Sequence, residues 1–503
     1  MSHIVKAASV LLARNATAPE LYVVRRAEAL RFFGGFMAFP GGKVHAGDQE
    51  LVTAAAEPAS DRYITAAREL FEETGVLLAR KSDGTFPPSG SVLNYLRRKM
   101  AREDLPFSRV LQRLEAYVRA EDFFFAGQVT TPPFVPTRFD TAFFVARLPE
   151  NQSAEVWEGE LVEGRWAAAD EAVEYWTRGE WLLSPPTVAI LQAIRGQSLE
   201  DIPQTLSAAL SARIEYEIHP IFFAPRVQMI PLDTHSLPPS THTNAYLVGS
   251  GPVYLIDPGT ALPPEQERLF ALLDAHQARG PRLTAVVLTH HHPDHIGAAA
   301  TCAIRYNVPI YAHAKTAEKL RGKVPVDRFI EDGDRLDLGA APDGSGAWHL
   351  EALHTPGHAG GHLAFYERRY RLLFVGDMIS TLSSVIIAPP DGDLAEYLLS
   401  LQRLRGYDCR LLLPAHGSPS ARPGKTIDDC IAHRMRRQNE LVAALNARPR
   451  AVADLAVELY KGLAPALMRF AELQVLAGLK KLQHEGRAVS TGAAGKEEWS
   501  LAK

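Results

Sequence analysis

The amino-acid sequence predicts an α/β protein built from several domains. A chain of 503 residues is long enough for about three domains of ordinary size. Hydrophobic residues make up 46% of it and charged residues 22%, which is typical of globular proteins and not of disordered or low-complexity ones. Short apolar runs rich in β-branched residues alternate with helical patterns, and this alternation is typical of α/β domains.

Composition and charge exclude several classes of protein. The chain has 54 Lys and Arg against 58 Asp and Glu, a formal net charge of −4, so it is not a polycation for nucleic acid or membranes. Three cysteines are too few and too scattered for a disulfide framework. No apolar run approaches the roughly 20 residues of a membrane span, and the N-terminal residues lack a secretion signal. We therefore expect a cytoplasmic protein with no membrane partner.

Residues 1–205 form the first predicted domain. Its elements follow from β-branched and aromatic runs and from amphipathic periodicity. The predicted strands are Ala7–Leu12, Leu21–Arg25 and Thr141–Leu148, and the predicted helices are Arg62–Leu78 and Pro186–Arg195. The charged, Pro-containing stretch Phe86–Glu121 is interpreted as a helical insertion.

Residues 206–425 form the second predicted domain, in which short apolar strands alternate with helices on both sides of a sheet. The predicted strands are Asn244–Val248, Val253–Ile256, Ala285–Leu288, Pro309–Ala312, Leu363–Tyr366, Arg371–Val375 and Leu411–Leu413. The predicted helices are Glu265–His276, Asp294–Tyr306 and Leu394–Leu404.

Residues 426–503 form the third predicted domain, which is mainly helical. The predicted helices are Thr426–Leu445, Ala451–Tyr460 and Phe470–Glu485, and Gly486 ends the last of them. Residues 421–503 contain 14 Lys and Arg against 9 Asp and Glu, so this end of the chain carries a modest positive surplus.

A run of histidines follows the predicted strand Ala285–Leu288. The sequence Thr289-His290-His291-His292-Pro293-Asp294-His295 packs four imidazoles and a carboxylate together. Burying so many polar groups without partners is costly, whereas imidazole and carboxylate together suit zinc and similar cations. His290 and His292 alternate along an extended loop and can point the same way, while Asp294 and His295 open the next helix.

Three isolated residues extend this constellation. His358, Asp377 and His416 each follow an apolar strand or a sharp turn. Because strand ends meet at one rim of an α/β sheet, we expect these side chains to join the 290–295 loop in space.

These motifs, together with Asp257-Pro258-Gly259, resemble the metallo-β-lactamase superfamily. The resemblance implies an αβ/βα sandwich and two zinc ions. It assigns His290, His292 and His358 to one ion and Asp294, His295 and His416 to the other, with Asp377 between them. It also makes Asp294 a catalytic residue, implies a water nucleophile of lowered pKa, and gives Asp257 the role of orienting a histidine. Iron or manganese also suits nitrogen and oxygen ligands.

The remaining histidines of this region receive other roles. His291 is expected to face solvent, and His354 and His362 are expected to support the ligands or the structure. Position 377 carries Asp where the β-lactam-hydrolysing branch typically carries Cys, which argues against antibiotic hydrolysis as the native activity.

The helical tail resembles the small winged-helix domain of the lactamase-β-like group, which includes an endoribonuclease acting on single-stranded RNA. The motifs are Ile427–Arg434, Val457–Tyr460 and Leu479–Gly486. The resemblance makes single-stranded RNA a candidate partner. The alternative is a packing module that closes one wall of the active-site cleft, and the small positive surplus and lack of an aromatic stacking surface leave it open.

A cluster of carboxylates lies in the first domain. In a helix, Glu69 and Glu73 share one face and Glu72 lies beside them. Three such charges repel unless a hard cation lies among them, and oxygen ligands favour Mg²⁺ or Mn²⁺. The alternative is an ordinary acidic helix face. Arg68 is four residues before Glu72 and is positioned to pair with it, and Gly75 is expected to end the helix.

This segment resembles the Nudix box, Gly-x5-Glu-x7-Arg-Glu-U-x-Glu-Glu-x-Gly-U, in which U is aliphatic. Asp48 takes the first Glu position, and 19 residues rather than 7 separate it from Arg68. With Ala38–Gly42 before it and Arg138–Thr141 and Arg165-Trp166 after it, the box is similar to the branch associated with coenzyme A diphosphatase activity. The resemblance implies an α/β/α sandwich and makes Glu69, Glu72 and Glu73 metal ligands, the last two also catalytic. A further carboxylate is expected from Glu158, Glu160 or Glu163.

The sequence therefore predicts a hydrolase with two metal sites. The first site acts on a nucleoside diphosphate or coenzyme A-type substrate, and the second favours an RNA phosphodiester. The alternative is a di-zinc thioester hydrolase whose Nudix-like domain senses a nucleotide or coenzyme A without catalysis. The sequence predicts neither the oligomeric state nor the reason for the fusion.

Overall fold

The computed structural model describes residues 4–30, 33–51, 62–132, 137–215, 221–445, 448–492 and 497–502. The chain divides into two compact units, Met1–Pro225 and Arg226–Lys503. The residues that lengthen the segment between Asp48 and Arg68 beyond the usual Nudix box fall largely on 52–61, outside the described residues.

The first unit is built on one mixed sheet. Its strands are β1 (Ile4–Arg14), β2 (Glu20–Arg26), β3 (Met37–Ala38), β4 (Gly41–Lys43), β5 (Arg80–Lys81), β6 (Ala116–Tyr117), β7 (Phe124–Thr130), β8 (Arg138–Arg147), β9 (Leu161–Ala168) and β10 (Ile221–Ala224). Its helices are α1 (Ala46–Gln49), α2 (Tyr63–Thr74), α3 (Ser91–Glu103), α4 (Phe107–Leu114), α5 (Ala169–Thr177), α6 (Pro185–Ala193) and α7 (Ile202–Glu215). The mixed sheet has seven strands in the order β3-β2-β1-β8-β7, with β4 on β1 and β9 on β2, and β1 runs parallel to β8. Strands β5 and β6 form a separate two-stranded sheet, and β10 is not part of the mixed sheet.

Both faces of this sheet are buried, as the predicted α/β/α sandwich requires. Alternate residues of β1 point to opposite faces. Val10 and Leu12 pack with Phe71 of α2, whereas Leu11 packs with Trp176 of α5 and Ile190 of α6. A strand buried on both faces reads as a continuous apolar run, which is the pattern of β1.

The boundary of the first unit lies beyond the predicted one. Helix α7 continues through residue 205 and contributes Leu206 to the core beneath α5 and α6, so the contact division of the chain falls after Pro225. The predicted insertion is helical, as α3 and α4. Gly75 ends α2 with a left-handed φ of 76°, as the sequence indicates.

The second unit contains two larger sheets and a small one. Its strands are β11 (Val227–Asp233), β12 (His242–Val248), β13 (Val253–Ile256), β14 (Leu283–Val287), β15 (Ile310–Ala312), β16 (Arg328–Phe329), β17 (Arg335–Ala340), β18 (Ala347–His354), β19 (Leu363–Glu367), β20 (Leu372–Gly376), β21 (Leu411–Pro414), β22 (Arg450–Ala451), β23 (Ala488–Thr491) and β24 (Glu498–Leu501). Its helices are α8 (Pro263–Gln277), α9 (Pro293–Ile296), α10 (Ala299–Tyr306), α11 (Ala314–Leu320), α12 (Leu394–Arg405), α13 (Pro423–Leu445), α14 (Val452–Leu459) and α15 (Met468–His484).

The two larger sheets run β11 to β16 and β17 to β21 in chain order. Helices α8 and α10 pack on the first sheet and α12 packs on the second, which gives the predicted αβ/βα layers. Contacts join the sheets: the rings of Tyr246 and Phe374 lie 5.1 Å apart, and the Asn244 amide donates to Ala415 O at 2.7 Å. The loops after several strands thereby meet at one rim.

One predicted helix is interrupted. The sequence predicts a single helix over Asp294–Tyr306, but the chain forms α9 and α10 with a break at Gly297. A Cβ at Gly297 would lie 2.4 Å from Gly259 O, so this turn needs a close backbone approach that a continuous helix does not provide. Strands β11, β17 and β18 were not predicted.

The end of the chain packs helices against a small sheet. Strands β22, β24 and β23 lie in that order, and Leu455 of α14, Leu479 of α15 and Trp499 of β24 share one core. The three predicted helices are confirmed as α13, α14 and α15, and a left-handed Gly486 follows the last. Within the described part of the chain, no helix has the length and apolarity to cross a membrane.

Gly357 supplies a test of the packing at the rim. A Cβ there would lie 2.2 Å from the backbone of Tyr397 in α12, and its φ is 129°. We expect Gly357→Ala to destabilise the second unit by about 2–3 kcal/mol, because both the clash and the backbone strain are costly. Urea-dependent hydrogen exchange of β19 and α12 measures the change. Gly280→Ala, where the added Cβ has 3.8 Å of space, is the control, and equal effects would contradict this packing account.

Candidate metal centre and carboxylate site

The rim of the second unit collects the histidines and acids predicted from the sequence. His290 follows β14, His358 follows β18, Asp377 follows β20 and His416 follows β21. The predicted convergence of strand ends is therefore present, and none of these side chains lies apart from the 290–295 loop.

Three imidazoles form the first cluster, His290, His292 and His358. Their inward nitrogens are 2.9 Å apart for His290 Nε2 and His292 Nδ1, 3.2 Å for His290 and His358 Nε2, and 2.9 Å for His292 Nδ1 and His358 Nε2. With a carboxylate oxygen of Asp377, these atoms all lie within 4.8 Å of one another.

Asp294, His295 and His416 form the second cluster, whose ligand atoms also lie within 4.8 Å of one another. Asp377 lies between the clusters. Its Oδ2 is 3.5 Å from His358 Nε2, while its Oδ1 is 3.4 Å from His295 Nε2 and 3.3 Å from His416 Nε2. One carboxylate therefore turns one oxygen toward each cluster.

The outer ring nitrogens are held by fixed acceptors. His358 Nδ1 lies 2.8 Å from Ile386 O, His416 Nδ1 lies 2.9 Å from His242 O, and His295 Nδ1 lies 2.8 Å from Asp257 Oδ2. Each Nδ1–H donates outward, which turns the Nε2 atom of each ring into the site. Asp257 also accepts from the amide and hydroxyl of Thr289, so it fixes both the loop and the His295 ring.

Burial and charge set the protonation of these groups. Burial lowers the pKa of His290 well below its usual value, and burial with the neighbouring His292 lowers the pKa of His358 to about 3, so both imidazoles are neutral. Burial opposes charge on His295, but Asp377 and Asp257 outweigh it and raise its pKa well above the usual range. Burial likewise disfavours ionised Asp377, but His416 and His295 hold its pKa well below the usual range.

The donor set fits a pair of cations. Tetrahedral coordination with Zn–N bonds of about 2.0–2.1 Å places ligand nitrogens about 3.3 Å apart, close to the spacing in the first cluster. His295 Nε2 and Asp377 Oδ1 are buried and have no hydrogen-bond partner among the described residues. Such buried polar atoms require compensation, which a cation between them provides.

The other histidines occupy different positions. His291 is only partly exposed, with Nε2 3.8 Å from Asp391, rather than facing solvent freely as expected. His354 stacks on His313 at 4.3 Å. His362 is fully buried, and its Nε2 accepts from the Asp377 amide at 3.1 Å. His354 and His362 thus lie outside both clusters, as expected.

Two serines complete the surroundings of the second cluster and were not found from the sequence. Ser236 donates to Asp294 Oδ2 at 2.6 Å, and Ser240 Oγ lies 3.1 Å from His416 Nδ1. Both lie in the loop between β11 and β12. The loop has no spacing signal, and only its richness in hydroxyl residues distinguishes it.

The first unit places its acids around Arg68. Asp48 is buried and accepts from Arg68 Nε at 2.8 Å, Arg68 Nη2 at 3.0 Å and Thr65 Oγ1 at 2.8 Å. Burial disfavours the Asp48 carboxylate, but its hydrogen bonds to Arg68 and the His45 amide hold its pKa below the usual value. Asp48 therefore anchors Arg68 despite the long separation in sequence.

The three glutamates of α2 lie beside this pair. Arg68 Nη1 contacts Glu69 at 2.9 Å and Glu72 at 3.1 Å, the second as predicted, and Glu73 accepts from the Gly41 amide at 2.8 Å. Burial, with the charge of Glu69, raises the pKa of Glu72 to about 6 and that of Glu73 to about 8. Among the described residues, three possible ligand atoms lie within 4.8 Å of one another at the two clusters of the second unit. The three glutamates of α2 do not converge in this way.

Close packing brings the β4 loop to these glutamates. A Cβ at Gly42 would lie 2.3 Å from Glu69 Oε1, so a larger residue at this position would displace the Glu69 carboxylate. Of the three candidate acids, Glu160 is the one whose charge raises the pKa of both Glu69 and Glu73, whereas Glu163 pairs with Arg25 at 3.0 Å.

Comparison with protein families assigns domains to the parts of the chain that carry these residues. The Metallo-beta-lactamase superfamily model matches residues 239–416, the NUDT19 Nudix domain model matches residues 56–194, and the Beta-lactamase associated winged helix domain model matches residues 452–499. The chain therefore contains a Nudix domain, a metallo-β-lactamase domain and a winged-helix domain. Such domains make it a metal-dependent, α/β multidomain hydrolase, as the sequence predicts.

Individual relatives each match part of the chain. The chain is 28% identical over 253 residues to Beta-lactamase-like protein 2 homolog of Caenorhabditis elegans, covering 48% of this chain and 79% of that protein. It is 30% identical over 151 residues to Hydroxyacylglutathione hydrolase of Bdellovibrio bacteriovorus, covering 30% of this chain and about half, 52%, of that protein. A NUDIX hydrolase structure from Alicyclobacillus acidocaldarius is 28% identical with a TM-score of 0.37, covering 40% of this chain and 96% of that one.

Asp48 supplies a test of the Nudix domain. Removing one partner of a buried ion pair is strongly destabilising, so we expect Asp48→Asn to cost about 3 kcal/mol at pH 7. Because the folded pKa of Asp48 is depressed, this stabilisation is complete above the unfolded pKa of about 4 and disappears as pH falls through the folded pKa. Hydrogen exchange of α2 in urea measures the difference, with exposed Glu50→Gln as the control. A difference that persists unchanged to low pH would contradict the assignment.

Proposed function

We propose that the metallo-β-lactamase domain holds two divalent cations, zinc in the first instance, and hydrolyses a thioester. His290, His292 and His358 hold one cation, Asp294, His295 and His416 hold the other, and Asp377 is shared. The position of Asp377 carries this proposal, because its two oxygens face different clusters. Two nearby cations repel, and a shared carboxylate reduces that repulsion.

The residues around the clusters have defined tasks in this proposal. When bound, the cation pair supplies Lewis-acid polarisation and a water nucleophile at neutral pH. Asp257 holds the His295 ring, Ile386 O holds the His358 ring, and Ser236 holds Asp294. These contacts keep the ligands in place before substrate arrives, so little reorganisation is needed during reaction.

One similarity and one expectation support a thioester as the substrate. A relative that is 30% identical to this chain over 151 residues is named Hydroxyacylglutathione hydrolase. In addition, a coenzyme A thioester shares its diphosphate with the substrates expected of the first domain. The proposed substrate is therefore an acyl thioester of a thiol carrier such as coenzyme A.

Single-stranded RNA is the second candidate, and the winged-helix match favours it. The charges of that region give it less support. Several cations of residues 421–503 are paired with nearby acids, in the pairs Lys425–Asp429, Arg437–Glu440, Arg450–Glu458, Lys481–Glu485 and Arg487–Glu485, the last two of which share one acid. Paired cations contribute less to binding a phosphate backbone, which depends on uncompensated positive charge.

For the Nudix domain we propose a Mg²⁺- or Mn²⁺-dependent diphosphatase that acts on a nucleoside-diphosphate-linked or coenzyme A-type compound. Glu69, Glu72 and Glu73 hold the cation, and Glu160, whose charge acts on Glu69 and Glu73, is the candidate fourth carboxylate. The raised pKa values of Glu72 and Glu73 support this, since neighbouring half-buried acids resist ionising together and a divalent cation relieves that repulsion. The alternative role of this domain is a nucleotide or coenzyme A sensor without catalysis.

A reciprocal pair of variants tests the two sites. His290→Ala removes a zinc ligand, and losing a ligand costs more than losing its supporting contact, so acyl-coenzyme A hydrolysis should fall at least about a hundredfold. Diphosphate cleavage with Mg²⁺ should be unchanged. Glu73→Gln should give the opposite result. The exposed His349→Ala is the control for the first variant.

Several outcomes decide between the candidates. Loss of both activities in either variant would contradict two independent sites. Zinc-dependent cleavage of single-stranded RNA without cleavage of acyl-coenzyme A would replace the thioester with RNA. Equal diphosphatase background in wild type and Glu73→Gln would favour a sensing role for the Nudix domain.

A further inference from the structure

A short segment of the second unit connects the metal centre to the C-terminal helices. Ile386 O accepts from His358 Nδ1 at 2.8 Å. The carbonyl of the preceding residue, Val385, accepts from the guanidinium of Arg434 in α13 and, at 2.8 Å, from Gln474 Nε2 in α15. Helices α13 and α15, which lie outside the residues matched by the metallo-β-lactamase model, therefore hold the backbone segment that orients His358.

Arg434 is buried, with 7% of its surface exposed, and makes several contacts. Its Nη1 lies 3.1 Å from Gln474 Oε1, and its Cζ lies 5.1 Å from the ring centre of Tyr397. Among the described residues, no carboxylate forms an ion pair with it. Burying a guanidinium without a counter-charge is costly, so carbonyl and aromatic contacts have to compensate for its desolvation.

Tyr397, which lies beside Arg434, contacts the backbone on both sides of the metal centre. Its hydroxyl donates to Met378 O at 2.7 Å, one residue after Asp377. Its backbone packs against Gly357, one residue before His358, closely enough that a Cβ there would lie 2.2 Å away. Arg434 thus contacts Val385 and Tyr397. The segment that begins at Val385 holds the His358 ring, and Tyr397 holds the residue after Asp377.

We propose that Arg434 and Gln474 are positioning residues for the metal centre, acting on His358 through Val385 and Ile386 and on Asp377 through Tyr397. This inference rests on the proposed cation pair. It assigns the C-terminal helices a role in the site, beyond closing the cleft or binding a polymer. A relaxed 385–386 segment frees the His358 ring, so the cation of the first cluster should be held more weakly.

The test uses the full chain loaded with Co²⁺, which reports its coordination through visible absorption. In Arg434→Met and Gln474→Leu, we expect one of the two ions to be released to a chelator about tenfold more readily, as for other losses of supporting contacts. The visible spectrum of that ion should change as well. The exposed Arg436→Met on the same helix is the matched control.

The outcomes separate this inference from the proposed function. If wild type holds two ions and both variants keep the same affinity and spectrum, the positioning role is wrong while the cation pair stands. If wild type holds no ion in this domain, the proposed function itself fails. If Arg434→Met does not fold, as judged by circular dichroism, Gln474→Leu decides, because it removes a neutral amide and leaves the guanidinium in place.

Discussion

The carboxylate of Asp377 is the contact on which the second unit depends. It lies between imidazoles that belong to two clusters, with an oxygen 3.3–3.5 Å from ring nitrogens on each side. Neutral and charged imidazoles would be costly to bury at this density without strong partners. The surrounding fold can be understood as the set of contacts that keeps this carboxylate and its neighbours in place.

Those contacts come from three directions. Asp257 at the end of β13 fixes Thr289 and His295, and His362 accepts from the Asp377 amide behind the clusters. Helix α12 packs against the turn before His358 through Gly357. Because each support touches backbone or an outer ring nitrogen, the inward atoms remain available for a cation.

The sequence predicts the ligands better than it predicts their supports. His290, His292 and His295 lie within one short loop, and Asp377 follows an apolar strand, so local spacing and strand-end position were enough to select them. The role of Asp257 came from the family resemblance. Ser236 and Arg434 lie far away in sequence, on a loop and a helix whose patterns show only exposure or amphipathicity, and tertiary packing alone brings them to the site.

Helix boundaries, too, are predicted from the sequence only where a local signal sets them. Gly75 ends α2 where the sequence places it, because a left-handed residue after an amphipathic run is a local signal. The break at Gly297 depends on the close approach of the 257–259 turn. That approach is a tertiary contact, so the residues around Gly297 give no signal of it. In the Nudix domain the acids were predicted, but the central role of Asp48 in holding Arg68 required the folded structure. Both sites thus combine residues that local motifs reveal with anchors that only the fold supplies.

X-ray absorption and anomalous diffraction on the zinc-loaded chain would show whether Asp377 joins two ions. We expect two ions in the metallo-β-lactamase domain, about 3.5–4 Å apart, with one Asp377 oxygen bound to each. A single ion, or two ions of which neither is bound by Asp377, would contradict it.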